Sequence, residues 1–368
     1  MKRKRVVIFI ILAAVLAALV YWQVSQWRRF DWETFSEETE NVNWGLILVA
    51  VLCVWAADTL RAWRWALFLR PVKKVAGITL VASQFIGFAG LALLGRPGEL
   101  IRPYVIARRV GMPLSSQMAV WMVERIFDFG TVTAFLLADI LFSKSLTTLP
   151  VYRGIRTAGF VLTAMVVFGI VVAFVLRRFG LQFAAWIERQ LAPRFPALAG
   201  RMSRRTREFS DGLNTIHDVR SFVLCALLSG LIWAGVAVSY RLVTYAYHDP
   251  EVSRLDIPEV ILLMFSSIAG GVLQLPIIGG GSQLATIAIM KSENVFNVRP
   301  ELATSCGILL WLVTFMSVAP VGLLLARREH VSLTELAAEE ERAEISGNHA
   351  AGATANPPTS AQGSDVET

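Results

Sequence analysis

Apolar residues in this chain gather into long runs, and polar positions fall between the runs or at two points inside them. Six runs, at residues 6–22, 44–67, 113–142, 157–176, 221–240 and 302–326, have or approach the roughly 20 residues that carry a helix across hydrocarbon. Two further apolar segments are interrupted. Residues 78–94 stop at Gly95-Arg96-Pro97-Gly98 before 99–107, and residues 260–275 stop short of Gly279-Gly280-Gly281 before 284–290. Each half is too short for a comfortable crossing, so each pair predicts a re-entrant helical hairpin. Basic residues close the runs on one side: Arg61, Arg64, Arg70, Lys73 and Lys74, then Arg108-Arg109, Arg177-Arg178 and Arg327-Arg328. That bias assigns these ends, and both chain termini, to the cytoplasm. Lys144, Arg153 and Arg156 then lie outside, a mild departure from the rule.

The expected fold is an all-α polytopic membrane protein, with about six transmembrane helices and two oppositely oriented re-entrant hairpins. The order span–hairpin–span occurs twice, over about residues 44–142 and 221–326. Because the hairpins enter from opposite faces, the copies form an inverted repeat, the plan of many secondary transporters that bind substrate near the midplane. Direct likeness is slight, Phe88-Ala89-Gly90 against Ile268-Ala269-Gly270, so topology carries the inference. Residues 179–220 are amphipathic and basic (Arg189, Arg194, Arg201, Arg204, Arg205, Arg207) and are expected on the inner leaflet. One membrane domain thus covers 1–328. Residues 329–368 lack apolar periodicity and predict a disordered cytoplasmic tail.

Composition excludes an ordinary soluble enzyme. Hydrophobic residues make up 55% of 368 and charged residues 17%, against about a quarter charged in soluble domains. The net charge of +7 does not point to nucleic acid, because the basic residues sit at span ends beside lipid headgroups. Cys53, Cys225 and Cys306 lie inside apolar runs without metal-ligand spacing, and the histidines are scattered. No metal, cofactor or disulfide is therefore expected. The apolar run 6–22 lacks a small-residue cleavage site, so it predicts an uncleaved first span.

Candidate chemistry concentrates at the two breaks. The half-helices starting near Glu99 and Ser282 would turn free N–H groups and positive dipole ends towards the midplane. Backbone at Gly98, Gly279, Gly280 and Gly281 would then join Ser282 and Gln283 around an anion, with phosphate the natural candidate. Arg96 and Arg102 would add charge-assisted bonds, and Glu99 would counter them or meet a cationic part of the substrate. Glu124, Arg125 and Asp128 form a second charged group inside a span, where ionisable residues usually serve function; the alternative is a self-neutralising lock between helices. Asp58, Arg61 and Arg64 are secondary candidates. Gln84, Gln274 and Gln283 either line the cavity or bond between helices.

These residues also carry a resemblance. Arg61-Ala62-Trp63-Arg64-Trp65, the run Arg96-Pro97-Gly98-Glu99-Leu100-Ile101-Arg102-Pro103-Tyr104, Glu124-Arg125-Ile126-Phe127-Asp128 and the late Gly279–Gly281 loop resemble the lysylphosphatidylglycerol synthase transmembrane-region family, also called flippase-like. The resemblance spans roughly residues 6–328. It implies a membrane domain that moves lipids or lipid-linked sugars between leaflets. Some members carry a cytoplasmic aminoacyl-tRNA-dependent transferase domain; the tail after Arg328 is too short to hold one, so synthase activity is not expected. Many members have an acidic residue soon after the late loop, and here none follows Ile278-Gly279-Gly280-Gly281-Ser282-Gln283 closely.

The leading expectation is a lipid flippase of the inner membrane. Its partners would be anionic phospholipid or a polyprenyl-phosphate-linked substrate, and its transport downhill or ion-coupled, since no ATP-binding motif is present. The alternatives are a membrane-embedded transferase on a lipid-linked sugar or aminoacyl lipid, using Glu99, Glu124 and Asp128, and a non-transporting assembly factor.

Overall fold

The computed structural model describes residues 32–40, 42–143, 147, 150–193, 196–213, 218–271 and 280–328. The expected first span, the whole of the expected tail, Gln274 and Gly279 lie outside these residues. Within them the chain forms helices α1 (Trp32–Glu40), α2 (Trp44–Leu69), α3 (Gly77–Leu94), α4 (Ile101–Val110), α5 (Leu114–Phe142), α6 (Tyr152–Leu191) and α7 (Pro196–Gly212). They are followed by α8 (Val219–Ala246), α9 (Ile257–Gly270), α10 (Gly281–Lys291), α11 (Pro300–Thr314) and α12 (Ala319–Arg328).

Trp44–Leu69, Tyr152–Leu176, Val219–Ala246 and Pro300–Arg328 are long and apolar enough to cross a membrane, and the protein is an integral membrane protein. Helix α5 has 29 residues, about 44 Å at about 1.5 Å per residue, but carries Glu124, Arg125 and Asp128 in its middle. Local signals set the helix starts. The Asn43 side chain accepts the Gly45 and Leu46 N–H groups at 3.1 and 3.3 Å, and Asp256 with Glu259 forms a reciprocal capping box at α9. Residues Ala50, Val54, Ala57, Arg61, Arg64 and Phe68 make one buried stripe along α2, the three-and-four spacing of a helix face turned inward.

The basic stretch expected as a separate surface segment starts as a continuation of a span: α6 runs unbroken for 40 residues. Helix α7 folds back along it, with Arg207 and Ser203 donating to Glu188 at 3.0 and 2.9 Å. Ser115 at the start of α5 donates to Glu208, which ties α7 to the bundle. The last span is also less regular than expected, because a 3₁₀ turn at Met316–Val318 interrupts it.

Both interrupted segments fold back on themselves. In the first, α3 leads through Gly95, at φ 67°, and a 3₁₀ turn at Arg96–Leu100 into α4. A Cβ at Gly98 would collide with the Gly90 carbonyl, and one at Gly87 with the Arg102 backbone. In the second, a Cβ at Gly270 would collide with the Gly281 carbonyl. Glycine is therefore what allows the arms of each unit to touch.

The open ends of the two units lie at opposite ends of the bundle. Leu80, Ile106 and Val110 of the first pack with the C-terminal half of α2 and with Ala119, Val120 and Val123 of α5. Val260, Leu263, Met264 and Met290 of the second pack with Ile47, Ala50 and Val54 of α2 and with Tyr240 and Val243 of α8. Helix α2 packs on α3 and on α8; α8 also packs on α9; α4 packs on α5 and α10 on α11; α3 lies against α12, and α9 against α5. Helix α6 stands at the margin, with 6% of its apolar stretch buried.

Candidate functional site

The charged residues fall in a layer between the two apolar clusters. On α2 the switch comes at Asp58, Arg61 and Arg64, between Val54 on one side and Phe68 on the other. On α5 it comes at Glu124, Arg125 and Asp128, between Val123 and Leu136. On α8 it comes at Ser229 and Trp233, between Cys225 and Tyr240. On α5 and α8 these positions are near the middle of the helix, and on α2 they lie in its C-terminal half.

Arg64 is fully buried and spans three helices. Its Nη1 donates to Ser229 Oγ at 2.6 Å, and its Nη2 meets Glu124 Oε1 at 2.9 Å and Asp128 Oδ1 at 2.8 Å. Arg102, at the start of α4, donates through both terminal nitrogens to the Glu124 carboxylate. Arg125 reaches Asp128 Oδ2 at 3.2 Å and Glu124 Oε2 at 3.5 Å, and Trp233 Nε1 donates to Asp128 Oδ1 at 3.2 Å. Withdrawing such charges from water costs several kcal/mol per ion, which only multiple close partners offset. The network supplies those partners, so it fixes α2, α4, α5 and α8 against one another.

Aromatic rings complete the layer. Two guanidinium groups lie over the Phe88 ring, Arg61 at 5.2 Å and Arg102 at 5.3 Å from its centroid. Arg102 also lies 4.9 Å from Trp65 and Arg61 5.3 Å from Trp233. These cation–ring contacts hold charge where water is scarce.

A central cavity of about 170 Å³ opens beside the network. Asp58, Arg61, Glu99 and Arg125 contribute its charged wall. Trp233, Tyr240, Met264, Phe315 and Val318 contribute apolar and aromatic wall, and Gly271 brings the end of α9 to it. One water needs about 10–15 Å³ on this measure, so the space is large enough for a small polar group.

The predicted residues therefore separate into two groups. Asp58, Arg61 and Glu99 face the cavity, Arg64, Arg102, Glu124 and Asp128 form the braced network behind it, and Arg125 belongs to both, lining the cavity and pairing with Asp128 and Glu124. Gly98 is consumed in the first turn, where its N–H donates to Gly95 O at 2.9 Å. For Arg96 the backbone alone is described, at the start of the 3₁₀ turn. At the second break Gly280 precedes α10, which starts at Gly281. Ser282 and Gln283 are buried, and Ser282 Oγ and Gln283 Oε1 have no hydrogen-bond partner among the described residues; so does Gln84, through both amide atoms. Trp233, Tyr240 and Ser229 were not anticipated. Their signal was present, since Trp233 stands in the middle of an apolar run and an interfacial Trp stands at its end.

Residues 7–322 match the family described as lysylphosphatidylglycerol synthase TM region, and the chain belongs to that family. No curated protein and no solved structure matches the chain. Membership gives the protein a membrane role related to lipids.

Proposed function

With that membership as premise, we propose that the protein is a lipid translocase that moves a phospholipid or polyprenyl-phosphate-linked headgroup between leaflets. The headgroup occupies the central cavity while its tails stay in the bilayer. The observation that carries this reading is the cavity wall: Asp58, Arg61 and Arg125 from within helices and Glu99 from the turn of one broken unit, beside the end of an arm of the other. Arg61 and Arg125 hold the phosphate, and Asp58 and Glu99 balance them or meet a cationic part of the headgroup. Arg102 and Glu124 act behind them, as the brace that positions Arg125.

The packing supports an inverted repeat. If α2, α3, α4 and α5 are exchanged with α8, α9, α10 and the α11–α12 span, α2 on α3 becomes α8 on α9, α4 on α5 becomes α10 on α11, and α3 on α12 becomes α9 on α5. The contact of α2 with α8 maps onto itself. In this reading both broken units are re-entrant hairpins, six helices cross the inner membrane, and the end carrying Arg70, Lys73 and Lys74 faces the cytoplasm. Rocking of one repeat against the other exposes the cavity to each side in turn. Transfer chemistry is less well supported, because Glu124 and Asp128 are already engaged by arginine.

The test is leaflet-resolved movement of a labelled phospholipid in vesicles containing purified protein. Loss of one charge-assisted bond, worth about 1.5–3 kcal/mol, predicts that Arg125→Ala and Arg61→Ala each slow exchange at least about tenfold. Wild-type rates in both variants would overturn the reading.

A further inference from the structure

The seam between α5 and the second broken unit holds an acid that neither the cavity nor the brace uses. Asp139 stands in the last turn of α5 and is 8% exposed. Its Oδ2 is buried without a hydrogen-bond partner, and Asp139 forms no ion pair among the described residues. Its neighbours on α5 are apolar. Leu136 and Ile140 cluster with Ile155 of α6 and Leu262 of α9, and Phe265 and Ile289 pack against them.

The charged and titratable groups on the surrounding elements do not supply a cation. From α9 come Asp256, the helix cap, within electrostatic reach of Asp139, and Glu259, whose carboxylate accepts the Asp256 N–H at 2.9 Å. From α6, Tyr152 donates its hydroxyl to the Ile140 carbonyl at 3.4 Å, while Arg153 and Arg156 are exposed. At the end of α10 and beyond it, Lys291 and Glu293 are exposed as well. Lys144, after α5, lies outside the described residues. A lone carboxylate withdrawn from water is costly to keep ionised and takes up a proton instead. The negative end of the α5 dipole and the Asp256 carboxylate both add to that cost.

We propose that Asp139 is a proton-binding site in the seam between the two repeats, and that its occupancy biases the rocking that carries lipid across. The coupling rests on the translocase reading; the proton site does not. In that reading α5 belongs to the first repeat and α9 to the second. With the proton bound the seam is neutral, and α9 packs on α5 as the structure has it. Loss of the proton leaves a charge in the seam facing Asp256, which favours its opening. The site lies towards the open end of the second unit, so the proton arrives from the face opposite Lys73 and Lys74.

The experiment pairs infrared titration with leaflet-resolved exchange of labelled phosphatidylglycerol, on purified full-length protein in phosphatidylcholine vesicles. Between about pH 5 and about pH 9, wild-type protein should show a carboxylic-acid carbonyl band that fades as the pH rises. Asp139→Asn should lack that band. Asp256→Asn keeps a capping side chain but removes the facing charge, so it should lower the proton affinity about threefold. A pH difference across the vesicle membrane should change net lipid movement at least about threefold in wild type. In Asp139→Asn, exchange should continue without that response. A band of equal size in wild type and Asp139→Asn would overturn the proton site. Wild-type exchange that ignores the pH difference would overturn the coupling. No exchange in any variant would remove the translocase reading, and the titration would still decide the proton site.

Discussion

The two broken units share a shape and differ in chemistry. In each, two short helices close together through glycine, Gly98 against Gly90 in the first and Gly270 against Gly281 in the second. The turn of the first carries Glu99 and leads to Arg102, and its open end carries Lys73, Lys74 and Arg109. The second has no described charge at its break; it offers Ser282, Gln283 and backbone, and its open end begins with the acidic capping box at Asp256 and Glu259. The carboxylates that answer Arg102 and Arg64 come from α5. What the two units share therefore belongs to the backbone, where glycine sets the close approach of the arms. Buried charge is placed with the first unit, because each buried ion needs a partner and the partners on α2 and α5 lie beside it.

The largest effect that would break this comparison is expected at Glu124. Glu124→Ala leaves Arg64 and Arg102 buried with a lost acceptor, and breaking a buried pair from one side costs about 3–5 kcal/mol. Thermal unfolding in detergent should show a large loss, while Glu99→Ala at the cavity wall should show little. Equal losses would place Glu99 in the brace as well. The next effect tests what the units share. Gly98→Ala and Gly270→Ala both force the arms apart, at about 1–3 kcal/mol each by overpacking. Similar losses in both would support symmetry of the backbone, and a loss in the first alone would make the second unit a looser structure.

Several of these features were legible in the sequence and others were not, for physical reasons. Gly95-Arg96-Pro97-Gly98 and Gly279–Gly281 announced the breaks because glycines in a cluster, joined by proline in the first, disfavour continued helix. The helix of α5 was legible from the apolar lengths on both sides of Glu124, Arg125 and Asp128. The division of the charged residues was not. Arg102 and Arg125 both read as arginines at interior positions, and only packing gives Arg102 both terminal nitrogens on Glu124 while Arg125 also lines the cavity. The continuity of α6 was hidden too, since Arg177-Arg178 end a hydrophobic run without ending a helix; arginine is a good helix former. The cavity contribution of Trp233 was missed because its depth depends on where the helix sits.

Smallest in effect, and sharpest for the comparison, is Ser282→Ala. The Ser282 hydroxyl is buried and has no hydrogen-bond partner among the described residues. An unsatisfied buried hydroxyl is unfavourable, by roughly 1–3 kcal/mol in mutational data, so its removal should leave stability unchanged or raise it by up to about 1 kcal/mol. The same substitution separates two roles for the second break. If that break supplies backbone and shape alone, lipid exchange in Ser282→Ala vesicles stays within about twofold of wild type. If exchange falls tenfold while the melting temperature holds, the hydroxyl meets the moving headgroup. The second unit would then contribute chemistry as well as shape, and the two breaks would be unequal in charge yet joined in one site.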